Sequence, residues 1–306
     1  MKNRKTSIRG NLVREFIGNV IETSLGEPIQ TGKFRKHPIE PPWKCPSGYS
    51  YEKIEMENFE MEYLKPEGAS NGKIVLQLHG GGYIGPMKNV YRRFAINYSE
   101  IMEGGDVLTI DYRVAPENPY PAALNDAIVA YKWLVEKQKY NLENLILVGD
   151  SAGGGLALAL CLYLRDNFMS LPAGVVLMSP WTDLTNSGAS YTDNFDIDPL
   201  FGRSTNNMLY NSTYIGNEDP YNPYISPVYG DFNGFPPMLM QVGTHEVLLS
   251  DTLTVAEKAN AQNGNVKLSV YEGMFHVFQM VGDMIPESKD AWNEVSNFIR
   301  KDIFKK

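Results

Sequence analysis

The segment Gly149-Asp150-Ser151-Ala152-Gly153 is the part of this sequence best suited to covalent chemistry. A serine hydroxyl is a weak nucleophile until a neighbouring base takes its proton. The spacing G-x-S-x-G presents such a hydroxyl when a strand leads in and a helix leads out. Small neighbours let the chain turn sharply, so the hydroxyl stands at the top of a sheet. The amide after the serine then points at the charge that develops on an attacked carbonyl oxygen. The bare pattern also occurs as a Gly/Ala-rich turn with an idle serine. Here an apolar run over 145–148 precedes it and an apolar stretch over 154–165 follows, which is the required context.

A second segment, His79-Gly80-Gly81-Gly82, follows the apolar run 74–78. Glycines let the backbone approach a substrate closely. Amide donors there can hold the negative charge of an acyl-transfer transition state. Gly80, Gly82 and Gly85 also spell G-x-G-x-x-G, the pattern of a dinucleotide site. That pattern needs a helix opening inside the motif and an acidic residue about 20 positions on. The chain instead continues Tyr83-Ile84-Gly85-Pro86-Met87; Asp106 precedes its strand and Asp111 lies late. Acyl transfer is the better reading, and it requires neither a metal nor an organic cofactor.

The base follows by elimination among four histidines. His37 lies in a proline-rich stretch, His79 in the glycine loop, and His245 beside a candidate acid. His276 follows the last expected strand. Sheets with this elbow carry the nucleophile, acid and histidine in that chain order, which selects His276. The acid belongs to the loop after the strand 238–242, where Glu246 and Asp251 are the candidates. Asp251 stands just before an expected helix, where a carboxylate caps free amides.

The elements that must position these groups alternate. Strands are expected over 74–78, 107–110, 145–148, 174–178, 238–242 and 266–271. Helices are expected over 121–136, 154–165, 252–260 and 291–299, and an amphipathic helix over 11–22. Such alternation implies a mostly parallel sheet covered on both faces, with its site at the carboxyl ends of the strands. Residues 37–46 read as an extended connector. Residues 183–235, rich in Asn, Asp, Tyr, Pro and Ser, break the rhythm, with one expected helix over 205–214. A polar insertion of that length reads as a cap. The expected division is an N-terminal cap segment 1–50, a catalytic domain 51–182 and 236–306, and a cap insertion 183–235.

Composition excludes several classes. Of 306 residues, 43% are hydrophobic and 21% charged, as in ordinary globular proteins. A net charge of −8 argues against nucleic acid or an anionic membrane as partner. Two cysteines, Cys45 and Cys161, suggest neither a disulfide framework nor a zinc site. No apolar h-region follows the basic start, and no stretch approaches the about 18 to 20 apolar residues of a span. A cytoplasmic protein is therefore expected.

Taken together these motifs resemble the hormone-sensitive-lipase family of α/β-hydrolases, in particular its microbial esterases. The resemblance runs from about Ile74 to the C-terminus. It includes Asp111-Tyr112-Arg113-Val114-Ala115-Pro116-Glu117, Pro121-Ala122-Ala123-Leu124-Asn125-Asp126 and Ser179-Pro180-Trp181-Thr182-Asp183. It implies an α/β-hydrolase fold with an eight-stranded sheet under a cap built from the N-terminal segment and an insertion after the sixth strand. It implies that Ser151 is acylated and that Gly81, Gly82 and Ala152 donate amides to the oxyanion, with Gly80 close by. Glu246 aligns with a position that is commonly Asp in the family. The expected reaction is hydrolysis of short-acyl carboxylic esters through a Ser151–His276–Glu246 triad. An amidase or peptidase would use the same groups, and a non-catalytic receptor on this fold would usually have lost one. Tyr83, Phe201, Met208, Tyr210 and Tyr214 are candidates for the pocket wall, with core packing as the alternative. The strand 266–271 is expected at a sheet edge, where family members sometimes form homodimers.

Overall fold

The computed structural model describes residues 5–21, 40–68 and 70–305. Glu22 of the expected first helix and residues 37–39 of the expected connector lie outside them. The elements are, in chain order, α1 (Ile8–Val20), β1 (Tyr49–Glu55), β2 (Glu60–Pro66), β3 (Ile74–Leu78), α2 (Asn89–Ile101), β4 (Asp106–Asp111) and α3 (Ala122–Lys132). There follow β5 (Leu145–Asp150), α4 (Ser151–Asp166), β6 (Gly174–Met178), the short α5 (Ser190–Asp193), β7 (Met238–Gly243), α6 (Leu249–Ala261), β8 (Val266–Tyr271) and α7 (Pro286–Asn297). One eight-stranded sheet runs β1-β2-β4-β3-β5-β6-β7-β8. Only β2 runs against its neighbours, pairing antiparallel with both β1 and β4.

The central strands are apolar on both faces because helices cover both. Leu145 and Leu147 of β5 face a core shared with α3, α4 and α6. Ile146 and Val148 face the opposite core, with Tyr91, Phe94 and Tyr98 of α2 and Val295 of α7. Side chains of a strand alternate between its two faces, and the near-continuous apolar run of β5 serves both. Register then brings the strand ends to one edge: Leu78 pairs with Gly149, Asp150 with Met178, Met178 with Gln241, and Gly243 with Tyr271. The loops that carry His79–Gly82, Ser151, Ser179, Glu246 and His276 all leave the sheet there.

The strands β1 and β2, the helix α2 and the short α5 were not expected from the sequence, and one expected helix is absent. The hairpin β1–β2 lies at the rim of the sheet, and β1 has no fully buried residue, so its sequence lacks an apolar signature. α2 buries Tyr91, Phe94, Ala95, Tyr98 and Ser99, which is helical spacing, but tyrosines among arginines make a weak apolar stripe. Residues 205–214 form turns and bends rather than the expected helix. Asparagines compete there for the backbone: Asn207 accepts from Leu209 N and donates to Ser204 O, and Asn211 donates to Thr205 O.

Residues 183–235 have no core of their own. Leu184, Tyr191, Leu209, Tyr214, Ile225 and Phe232 join the cluster beneath the sheet. α1 is capped by Ser7, whose Oγ accepts from Gly10 N at 2.9 Å. Its Val13 and Ile17 pack with Leu200, Met274 and Phe275, above the loop that carries His276. Among the described residues no helix is long and apolar enough to cross a membrane.

Candidate active site

Ser151 sits where β5 ends and α4 begins, with φ of 52°. That left-handed conformation costs a non-glycine residue roughly 1–2 kcal/mol, and the surrounding packing holds it. A Cβ on Gly153 would strike the carbonyls of Leu78 and His79, so only glycine lets α4 start this close to β3. The turn lifts Ser151 into a pocket of about 230 Å³ that it shares with His276, Gly81, Gly82, Leu200, Phe201 and Met208. A larger groove of about 580 Å³ beside β8 and α7 contains no histidine. The chemistry of the lining, not its volume, singles out the smaller pocket.

His276 lies in the loop after β8. Its Nδ1 is 2.9 Å from Glu246 Oε2. A carboxylate can only accept, so Nδ1 carries the hydrogen and Nε2 is left as the basic nitrogen. Glu246 is fully buried, and its other oxygen is also engaged. Oε1 accepts from Ser179 Oγ at 2.8 Å and from Gly243 N at 2.5 Å. Ser179 Oγ in turn accepts from Val277 N at 3.2 Å. One hydroxyl thus ties the carboxylate to the residue after His276. The ring of Phe201 meets the imidazole edge-on at 5.1 Å.

The glycine loop is held from below. Gly80 N donates to Asp150 Oδ1 at 3.1 Å, so that amide is occupied. His79 stacks on Tyr112 at 4.2 Å, and its Nδ1 lies 2.7 Å from the Gly80 carbonyl oxygen. Gly82 has φ of 61°, and a Cβ there would collide with Met208, which closes that side of the pocket. The amides of Gly81 and Gly82 have no hydrogen-bond partner among the described residues. Burial lifts the Asp150 carboxyl to about 6, against the pull of His79, His276 and the Gly80 amide. Among the described residues no group of three or more His, Cys, Asp or Glu side chains is placed to hold a metal ion.

A family model for the α/β-hydrolase fold matches residues 75–280. The chain is an α/β-hydrolase. An acetyl-hydrolase of Streptomyces hygroscopicus is 36% identical over 239 residues, covering 78% of this chain and 79% of its own. The crystal structure of EstE7, a hormone-sensitive-lipase homologue from a metagenome library, matches with a TM-score of 0.85 and 31% identity, over 98% of this chain and 100% of that one. That of EstE5, soaked with p-nitrophenyl butyrate, matches with a TM-score of 0.84 and 30% identity, over 96% and 98%. This α/β-hydrolase falls in the hormone-sensitive-lipase group.

Several sequence candidates take other places in the hydrolase. Tyr83 and Tyr214 do not line the pocket: they stack on each other, with centroids 3.7 Å apart, and are almost wholly buried. Tyr210 packs edge-on against Tyr191. Ala152 is fully buried directly behind Ser151. Asp251 is not a helix cap. It lies in the first turn of α6, and its Oδ2 accepts from the amides of Thr182 and Asp183, both at 2.8 Å. The part played by Ser179 was missed, although the residue stands in a recognised motif. Its signal was a serine at the end of a buried strand.

Proposed function

We propose that the protein hydrolyses carboxylic esters through an acyl-enzyme formed on Ser151, with His276 as base and Glu246 as the acid behind it. The observation that carries this reading is the 2.9 Å contact of His276 Nδ1 with the buried Glu246 carboxylate, beside a serine on a left-handed turn in the same pocket. His276 Nε2 takes the Ser151 proton as Oγ adds to the carbonyl carbon. Gly81, Gly82 and Ala152 amides hold the oxyanion, each donor being worth about 10²–10³ in rate in comparable sites. The imidazolium returns the proton to the leaving alcohol, and the acyl group remains on Oγ. Water, deprotonated by the same nitrogen, then releases the acid. Glu246 holds the tautomer and stabilises the imidazolium in both halves.

In this reading residues 183–235 and the N-terminal segment act as the cap. Leu200, Phe201 and Met208 come from the insertion and wall the pocket. A pocket of about 230 Å³ suits a short acyl chain, as does the likeness to an acetyl-hydrolase. The test is hydrolysis of p-nitrophenyl acetate, butyrate and longer esters without added metal. Ser151→Ala is expected to abolish turnover with the fold intact. Retained turnover in that variant would overturn the nucleophile. Faster turnover of long-chain than of short-chain esters would overturn the acyl preference alone.

A further inference from the structure

Asp198 lies in the insertion, outside the groups assigned above, and is 2% exposed. A carboxylate is buried at a cost unless it is paired or fully hydrogen-bonded. Its Oδ1 accepts from Leu200 N at 2.8 Å and Phe201 N at 3.0 Å, closing a turn. A turn of this kind needs only that oxygen. Oδ2 leaves the turn and accepts from Val247 N at 2.8 Å, the residue directly after Glu246. A second tie runs parallel. Asn194, just past α5, donates to the carbonyls of Glu246 at 2.7 Å and Thr244 at 3.0 Å. Leu200 and Phe201 line the pocket, and Phe201 touches the His276 ring.

We propose that Asp198 is a positioning residue that locks the acid loop and the Leu200–Phe201 pocket wall into one frame, so that a single side chain governs both turnover and acyl fit. This rests on the Ser151–His276–Glu246 reading. Asp198 touches no substrate; it acts through Val247 on one side and Phe201 on the other. Burial raises its carboxyl, while the three amides and the nearby His276 pull it back toward the charged form. A charged acceptor makes stronger bonds to amides than a neutral one. The two arms also predict separable effects, because each oxygen serves a different segment.

Asp198→Asn and Asp198→Ala separate them. The asparagine oxygen keeps the two amides of the turn, and its NH₂ faces the Val247 amide, donor against donor. The expected result is a kcat lower by on the order of 10- to 100-fold, the scale of a misplacement of about 1 Å. KM and the ranking among p-nitrophenyl acetate, butyrate and hexanoate stay as in the wild type. Asp198→Ala frees both segments, so kcat falls, KM rises and the acyl ranking changes. Rates are expressed per serine titrated with a fluorophosphonate, well below the melting temperature. A side chain that only stabilises the fold would lower the titrated fraction and the melting temperature, with kcat per site and ranking unchanged; that result overturns the proposal. Should neither Asp198 variant fold, Asn194→Ala tests the acid-loop arm: kcat per site falls with the ranking unchanged, and an unchanged kcat overturns the proposal. Failure of the parent reading is distinguishable, because it appears first in the wild type and in Ser151→Ala.

Discussion

Glu246 and Asp251 are both buried and lie on one short stretch, yet they face different chemistry. Glu246 in the loop after β7 meets the imidazole of His276, a ring that gains and loses charge in the proposed mechanism. Asp251 in the first turn of α6 meets the fixed amides of Thr182 and Asp183 and the Tyr191 side chain, and no imidazole. Burial, and then the neighbouring Asp183, push the Asp251 carboxyl well above the usual range, while the two amides pull it down. Depth and hydrogen bonds therefore do not mark a catalytic carboxylate. In the proposed mechanism what marks it is a partner whose charge changes during the reaction. The side of the turn decides which partner is met. The loop residue points toward the site, and the helix residue points back at the segment after β6.

The largest break in that comparison comes from Glu246→Gln. A neutral amide cannot stabilise the imidazolium, and loss of this role costs up to about 10⁴ in kcat in a serine protease. A fall of at least about 100-fold is expected here. Some stability is lost as well, since an amide cannot accept from Ser179, Gly243 and His276 together. The check is kcat per titrated serine beside the melting temperature. The roles of the two carboxylates exchange if Asp251→Asn loses activity and Glu246→Gln does not.

Asp251 should respond in the opposite currency, stability rather than rate. Asp251→Asn keeps an oxygen for both amides and removes a charge that burial disfavours, so kcat stays near wild type. Asp251→Ala strands two buried N–H groups, each costing about 1–3 kcal/mol. Urea unfolding should then show a loss of about 2 kcal/mol or more, with kcat per folded molecule retained. A wild-type unfolding midpoint in the alanine variant would remove Asp251 from the interior network.

Much of this was legible in the sequence, for identifiable reasons. β3, β6 and β8 match their expected bounds residue for residue; β3 and β6 do so because a strand covered by helices shows as an apolar run. The elbow was legible because close backbone approach requires glycine at Gly149 and Gly153, on both sides of Ser151. The acid loop was legible only as a pair of carboxylates, because their partners lie 30 and 69 residues away in sequence. No local pattern records which is met. The same holds for Asp198 and Ser179, whose roles are made by contacts across the fold. The strand β1 escaped because it has no fully buried residue, and the turns of 205–214 because asparagine side chains take the backbone there.

Asp150 sharpens the comparison, since it lies between the two kinds. Like Asp251 it accepts from backbone, taking Gly80 N at 3.1 Å. Like Glu246 it lies near His276, whose charge, with that of His79, favours its ionised form. Burial raises it from 3.8 to about 6. Between those values the folded state holds a proton that the unfolded state has lost. The stability this group contributes is therefore complete below about 4 and is lost as pH rises through about 6. Asp150→Asn removes that dependence, so the stability of the variant relative to wild type should rise across this window in urea titrations. Activity should move the other way. The ionised carboxylate holds the Gly80 amide by a charge-assisted bond and favours the imidazolium. Below about pH 6 the wild type then loses this support, and its kcat/KM should fall more steeply on acidification than that of Asp150→Asn. The asparagine variant should be a few-fold slower at pH 8 and lack this part of the fall. Equal slopes in the two proteins would assign Asp150 to the structural kind, with Asp251.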